Sequence, residues 1–347
     1  ARPAGARRVE ETEIRGETVN AKNAKRWLKK ALGDAILLAH PDSAPLPLSR
    51  LTRLHVVLGT PCNCRCTMCY QTDFRSVMDP ATLETALRPL FPHLREIILQ
   101  GGEPTILPQT RRFADRALQA NPQIRLALFT NGQRFDAEWA KFFLEHGSYV
   151  NFSINAATEP TYRRIVSGDA DWNRLLDNLR AFDAARRGRA AAPRLHASFV
   201  ATDDNLSETA AFLEFGRALG ADSIHYFFDR SRLPRDRERA RQELQQARAW
   251  RQSHPEIPVE GLDMLSHHLL GTPPAPPVCT WPVDSLYVDV DGEARFCCLI
   301  DRSLGNLAKA DVAQLWNGWR ARRLRRMVRT GNLRFCGAYC RPGRRRP

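Results

Sequence analysis

The sequence has 347 residues, 43% of them hydrophobic and 26% charged, which is enough apolar material for a sizeable core and excludes global disorder. No uninterrupted apolar run approaches the ~20 residues that cross a bilayer, and the charged segment 1–17 has no apolar stretch of the secretory kind, so a cytoplasmic protein with no membrane partner is expected. The formal net charge is +14, but eleven arginines and no acid fall between positions 312 and 347, so the excess is a terminal patch. A solvated helix face followed by a frayed basic end is expected there, rather than a nucleic-acid surface.

In chain order, 22–38 reads as an amphipathic helix with Trp27, Leu28, Leu32, Ile36 and Leu37 on a helical period, and 41–47 as a proline-rich linker. Six short apolar runs follow, at 54–58, 96–99, 126–129, 150–154, 195–200 and 223–227. Between them lie helical segments at 79–91, with Asp79 as N-cap and Pro80 at the first position, and at 136–146, 172–187 and 206–219. This alternation predicts a parallel sheet. Its length of about 185 residues falls short of the ~250 of a closed eight-unit barrel, so an α/β fold built on an open, partial (β/α)6 barrel is expected. A charged helix at 235–253 reads as a connector, and 271–277 (GTPPAPP) as a boundary. Beyond it, 285–290 and 294–296 flank Asp291-Gly292 as a hairpin, and 312–328 reads as a helix with Leu315, Trp316, Trp319, Leu324 and Val328 as its apolar stripe. The expected division is an N-terminal extension at 1–50, the barrel at 51–235, a connector at 236–277 and a small α+β domain with the basic tail at 278–347.

The nine cysteines fall into two groups. Cys62, Cys64, Cys66 and Cys69 lie within eight residues, and Cys279, Cys297, Cys298, Cys336 and Cys340 within the last seventy. An odd count without a signal segment argues against a disulfide framework, and two distant clusters read as two metal sites. Cys62, Cys66 and Cys69 form C-x3-C-x2-C directly after the first strand. Three thiolates leave a metal centre one ligand short, a deficit that suits an iron–sulfur cube with one open iron. Cys64 is the alternative fourth ligand, but C-x-C-x-C crowds three sulfurs along one extended segment, which favours Cys64 as a bystander.

The triad, followed thirty-odd residues later by Gln100-Gly101-Gly102-Glu103-Pro104 after the second strand, resembles the radical SAM superfamily. The resemblance implies a [4Fe–4S] cluster on Cys62, Cys66 and Cys69 whose fourth iron chelates S-adenosylmethionine, with the 100–104 segment receiving its amino group. Met68 stands where the family commonly has an aromatic residue against the adenine. Thr130, Ser153, Asn155 and Asn205, each near the C-terminal end of a strand, are weaker cofactor-binding candidates, since such residues also favour turns. Read from the residues alone, the two glycines would let backbone approach a ligand, and Glu103 would accept hydrogen bonds from an ammonium.

Cys279, Cys297, Cys336 and Cys340 resemble the ligand set of a SPASM/twitch extension, with Trp281-Pro282, Asp291-Gly292, Gly305-Asn306-Leu307 and Leu315-Trp316-Asn317 in support. Five cysteines suffice for one auxiliary [4Fe–4S] cluster. A zinc ribbon would use the same four sulfurs equally well. Cys297 and Cys298, read as neighbours in a strand, point to opposite faces. The spacing from Gly292 favours Cys297 as ligand and leaves Cys298 as a core thiol or a hydrogen-atom donor.

The resemblance implies a radical SAM oxidoreductase. Reductive cleavage of S-adenosylmethionine, fed by a flavodoxin- or ferredoxin-type donor, gives a 5′-deoxyadenosyl radical. That radical takes hydrogen from an unactivated C–H of a small-molecule or peptide substrate, and the auxiliary cluster accepts the remaining electron in a dehydrogenation or crosslinking reaction. An epimerase using Cys298 or Cys64 as hydrogen donor is the alternative within the family. A zinc-binding, nucleic-acid-associated protein is the alternative outside it. Tyr226 and Arg230, at the end of the sixth strand, are substrate candidates. The N-terminal fifty residues are too short for a separate leader-binding domain, which favours a small molecule or a leader held by another protein.

Overall fold

The computed structural model describes residues 44–228, 233–271, 279–300, 302–333 and 336. The helix expected at 22–38, residues 41–43 of the first linker and 272–277 of the second, Arg230, Cys340 and the end of the basic tail lie outside them. The strands are β1 (Arg53–Val57), β2 (Cys64–Cys66), β3 (Glu96–Gln100), β4 (Arg125–Thr130), β5 (Gly147–Ser153), β6 (Val166–Gly168), β7 (Arg194–Ala201), β8 (Ser223–Phe228), β9 (Val259–Glu260), β10 (Ser285–Val288), β11 (Glu293–Arg295) and β12 (Gly305–Asn306). Ten of them form one sheet in the order β12-β11-β10-β1-β3-β4-β5-β7-β8-β9, while β2 and β6 make a separate pair. Every neighbour from β10 through β9 is parallel, and only β10–β11 and β11–β12 are antiparallel. The sheet ends at β9 on one side and β12 on the other. This is the open, partial barrel that six apolar runs predict.

Alternation along each strand separates two environments. One face carries fully buried Leu54, Val56, Ile97, Leu99, Leu126, Leu128, Val150, Phe152, Leu195, Ala197 and Phe199. Around Phe135 this layer closes with Phe143, Phe152 and Phe182 at ring separations of 5.3–6.1 Å. The opposite face carries rings that follow one another across the sheet. His55 lies 6.3 Å from Phe129, Phe129 lies 6.2 Å from Tyr149, and Tyr149 lies 4.6 Å from His196. His196 continues to His225 at 4.7 Å. Burial keeps both His55 and His196 neutral, lowering them to about 4 and about 3.

Helices fill the connections. Pro108–Ala120, Ala137–His146, Glu159–Ile165, Trp172–Arg186, Ala211–Ala218, Arg237–Ser253 and Leu262–Leu270 are α-helical. Asp136, Asp171 and Asp236 cap three of them by accepting from backbone N–H groups of the first turn. The helix expected at 79–91 is broken: Thr82–Ala86 winds as a π-helix and Arg88–His93 as a 3-10 helix. Asp79 still accepts from Thr82 N at 3.0 Å, but Pro89 and Pro92 cannot donate to an α-helical ladder. The helix expected at 312–328 likewise divides at Gly318 into Val312–Asn317 and Trp319–Arg329. Among the described residues no helix is long and apolar enough to cross a membrane.

A parallel pairing of β10 with β1, Leu54 opposite Leu286 and Val56 opposite Val288, carries the C-terminal hairpin onto the edge of the sheet. The first cysteine loop therefore leaves the strand beside the one that Cys279 precedes.

Candidate active site

The first cysteine group sits on a loop that several elements clamp. Cys64–Cys66 form β2, pairing antiparallel with β6 so that Cys64 faces Gly168 and Cys66 faces Val166. Gly168 has φ +86°, and a Cβ there would stand 2.6 Å from Asn63 O. A turn closed by Cys69 N to Cys66 O at 3.0 Å then brings Cys69 back. Cys62, Cys66 and Cys69 are half-buried, whereas Cys64 is buried in the core. Burial raises Cys66 to about 12, and the Cys62 and Cys69 thiols add to the rise. Cys62 also feels Cys69, so the three lie within electrostatic reach of one another. Such thiols stay protonated unless a cation draws off the proton. Among the described residues no three ligating side chains converge on one mononuclear ion. A cube, taking one thiolate per iron corner, asks for a wider spread.

The glycines of the 100–104 segment have a packing role that their sequence does not show. A Cβ on Gly102 would lie 2.2 Å from both Thr60 O and Pro61 O, and one on Gly101 2.2 Å from Gly59 O. Gly102 N donates to Gly59 O at 2.8 Å and Glu103 N to Pro61 O at 2.9 Å. Their bareness lets the loop after β3 lie directly on the root of the cysteine loop. Glu103, fully buried, does not stand open to a ligand: Oε1 accepts from Thr105 N, Thr105 Oγ1 and Thr130 Oγ1 at 2.7–3.1 Å, and Oε2 from Asn131 N at 2.6 Å. Burial raises its carboxyl while these donors pull it back. Oε2, with one chain donor, keeps the remaining acceptor position.

The other expected cofactor residues divide. Ser153 is half-buried at the end of β5, Met68 and Pro104 are buried, and Gln100 turns its Oε1 to His55 Nε2. Thr130 is committed to Glu103 and to Gly132 N. Asn155 adopts φ +64°, and its Oδ1 accepts from Val200 N at 2.8 Å. Asn205 is fully buried; its Nδ2 donates to Asn155 O and Val200 O at 2.9 Å, and its Oδ1 accepts from Thr202 N at 2.8 Å. Asn205 therefore stitches the loops after β5 and β7 and has no polar group left for a ligand. Tyr226 is also corrected: it is fully buried among Phe199 and Phe212, and its hydroxyl donates to Thr209 O at 2.5 Å, so it lies in the core and not at a substrate mouth.

Two contributors escaped the sequence reading. Asn131 Nδ2 donates to Asn63 Oδ1 at 2.9 Å and reaches Cys62 Sγ at 3.7 Å. Glu208, buried after β7, accepts from Ala157 N at 2.6 Å and fixes the loop after β5. Asn131 lies in a Thr-Asn-Gly turn that sequence shows only as turn chemistry, and Glu208 acts on a residue 51 positions away, which leaves no local signal. Replacing Asn131 by alanine should speed the loss of iron from the first site by about tenfold, as removing a supporting hydrogen bond to a ligand does. Absorbance bleaching after anaerobic desalting into chelator measures it.

In the second group Cys279 and Cys297 are half-buried, Cys336 is buried, and Cys298 is exposed. The Ile300–Cys336 bridge brings Cys336 to the turn that follows Cys297. The expectation that Cys297 and Cys298 share a strand is corrected: β11 stops at Arg295, whose pairing with Tyr287 of β10 is the last of the hairpin. Cys298 stands on a surface turn and is not a core thiol. Tyr70, next to Cys69, has a largely exposed side chain. Desolvation first, and then the Cys298, Asp289 and Cys69 charges, push its phenol up.

A family model described as the radical SAM superfamily matches residues 56–213, and one described as a SPASM iron–sulfur cluster-binding domain matches 279–341. The chain belongs to the radical SAM superfamily. It carries a C-terminal SPASM domain, and the two matches together span well over half of it. Its cofactors are accordingly S-adenosylmethionine and iron–sulfur clusters, which displaces the zinc reading. Among curated proteins the chain is 26% identical over 137 residues to the cysteine-type anaerobic sulfatase-maturating enzyme of Clostridium novyi (strain NT), covering 34% of this chain and 37% of the relative. It is 30% identical over 160 residues to the serine-type anaerobic sulfatase-maturating enzyme of Klebsiella aerogenes, covering 42% and 39%. The match thus spans about two fifths of the curated relatives' length. Among solved structures, Streptococcus suis SuiB bound to precursor peptide SuiA superposes with a TM-score of 0.59 at 13% identity, over 89% of this chain and 72% of that one. anSMEcpe with bound AdoMet superposes with 0.60 at 17% identity, over 82% and 80%. At these identities the likeness is one of fold.

Proposed function

We propose that this radical SAM protein is an oxidoreductase that removes hydrogen from an unactivated C–H bond of a peptide or small-molecule substrate. The observation that carries this reading is the loop after β1 that bears Cys62, Cys66 and Cys69, fastened by Gly102 and Glu103 beside the strand that pairs with the C-terminal hairpin. Cys62, Cys66 and Cys69 hold the cluster that takes S-adenosylmethionine, a donor set that fits because thiolates suit iron and three of them leave one position open. Bound together, the two supply hydrogen-atom abstraction. Ser153 at the end of β5 and Met68 are the groups that would orient the sulfonium compound. Cys279, Cys297, Cys336 and Cys340 hold one auxiliary cluster, whose irons, all ligated by protein, suit it to accept the substrate's electron in a dehydrogenation or crosslinking. A flavodoxin- or ferredoxin-type protein supplies electrons to the first site.

A peptide substrate is supported by two neighbours of like fold that were solved with peptides, SuiB with SuiA and anSMEcpe with Cp18Cys. The test is anaerobic reconstitution with reductant and S-adenosylmethionine: 5′-deoxyadenosine should be released, and its absence from fully iron-loaded protein would sink the reading.

Cys298 favours a second outcome, since it is an exposed thiol, whereas Cys64 is sealed in the core. As a hydrogen donor it would make the enzyme an epimerase. Cys298→Ser should leave dehydrogenation or crosslinking within about threefold of wild type, while an epimerase would lose stereochemical inversion altogether and still consume S-adenosylmethionine. Product chirality and mass, read together, separate the two.

A further inference from the structure

Arg325 sits within the C-terminal segment at 3% exposure, on the helix Trp319–Arg329. Its Nε donates to Pro282 O at 2.7 Å. Its guanidinium lies over the ring of Trp316, 3.9 Å from the centroid, and 5.1 Å from that of Phe296, whose ring stands nearly perpendicular to the first at 84°. Stacking answers the faces of a guanidinium but not its N–H edges, which are donors in a rigid fork. Nη1 and Nη2 have no acceptor among the described residues, and neither does Nε1 of Trp316, itself fully buried. Three N–H donor groups, two of them from one cation, are thus buried with no acceptor among the described residues.

Their position says what kind of acceptor they await. Phe296 precedes Cys297 and Pro282 is the third residue after Cys279, so the guanidinium is tied to both chain segments that lead from these cysteines. A cube ligated by four thiolates carries net negative charge and presents sulfur acceptors on every side. We infer that Arg325, seconded by Trp316 Nε1, is the counter-charge of the auxiliary cluster and raises its reduction potential, making it the better electron acceptor of the two sites. The inference rests on the auxiliary ligand set proposed above. Arg325 is a positioning and tuning residue; it touches no substrate.

The test uses the full chain in a Cys62→Ala/Cys66→Ala/Cys69→Ala background, which leaves only the auxiliary site to fill. After anaerobic reconstitution, iron content, thermal midpoint and a redox titration followed by electron paramagnetic resonance are measured. With Arg325 intact, about four irons per chain are expected. Arg325→Gln should keep them while the reduction equilibrium moves about tenfold toward the oxidised form, 59 mV for one electron. Arg325→Lys should stay within about threefold of the parent, and Trp316→Phe should shift in the same direction as Gln by about threefold. An iron-free parent would overturn the ligand set and this inference with it, a failure visible before Arg325 is touched. A loaded Arg325→Gln protein at the parent's potential would overturn the inference alone. So would equal losses of thermal midpoint in the Gln and Lys variants at unchanged potential, the signature of a mere packing role. If Arg325→Gln cannot hold iron, Trp316→Phe decides, and an unshifted potential there refutes the proposal.

Discussion

Replacing Gly102 by alanine is expected to lower S-adenosylmethionine cleavage by at least about a hundredfold, although the new methyl group would touch no cofactor. The Cβ would fall 2.2 Å from two backbone carbonyl oxygens, Thr60 O and Pro61 O, which cannot rotate aside as a side chain can. Relief requires that the loop after β3 lift from the root of the cysteine loop, breaking the bonds from Gly102 N to Gly59 O and from Glu103 N to Pro61 O. Forced overpacking of this kind costs about 1–3 kcal/mol or more, and a shift near 1 Å in a reacting geometry costs about a hundredfold in rate. Deoxyadenosine release at saturating S-adenosylmethionine, alongside iron content, is the measurement. An alanine variant of wild-type rate would show that the contact between the two loops is dispensable.

Single alanine replacements of Cys62, Cys66 and Cys69 should each abolish cleavage and lower iron from about eight to about four per chain, with the auxiliary site still filled. Cys64→Ala should do neither. Its side chain is buried at 1% exposure on β2, opposite Gly168, and belongs to the apolar core around Tyr162. Its loss should appear as a modest fall in stability, about 1 kcal/mol, because a small buried group is removed. Equal iron loss in Cys64→Ala and Cys66→Ala would make Cys64 a ligand and require a different cluster. Iron analysis of the four variants, prepared in parallel, distinguishes these outcomes.

Much of the barrel was legible because its signal is local. Each of the six apolar runs appears as a strand within three residues at either end, since consecutive Leu, Ile, Val and Phe leave little choice in a parallel sheet covered on its outer face. Pro108–Ala120 escaped because the residues it buries are Thr110, Phe113, Ala114 and Ala117, and three of these four are too small or too polar to mark an apolar stripe. β2 and β6, three residues each, exist by pairing with one another across a hundred positions, which no window of sequence contains.

At the site, the residue types were readable while their tasks were not. The cysteine spacing and the Gly-Gly-Glu segment stand out in any reading, but only the register of two loops shows that the bare glycines let one backbone lie on the other. Asn205 and Glu103 illustrate the same limit: both look like ligand-binding polar groups, and both are occupied by donors and acceptors from elsewhere in the chain. Cys298 was misplaced because strand alternation was carried past Arg295, the last residue of β11 that pairs with β10.

The pairing of β1 with β10 bears on how the chain is made. β1 finds one neighbour, β3, some forty residues later, and the other only when Ser285–Val288 has been synthesised. Until then a five-residue edge rich in Leu and Val waits uncovered, and its closure spans more than two hundred positions, a slow event in folding. A ribosome-bound fragment ending near the middle of the chain should therefore expose a sticky margin that chaperones shield, and a shortened gene lacking the last seventy codons should yield aggregates in place of a simpler enzyme.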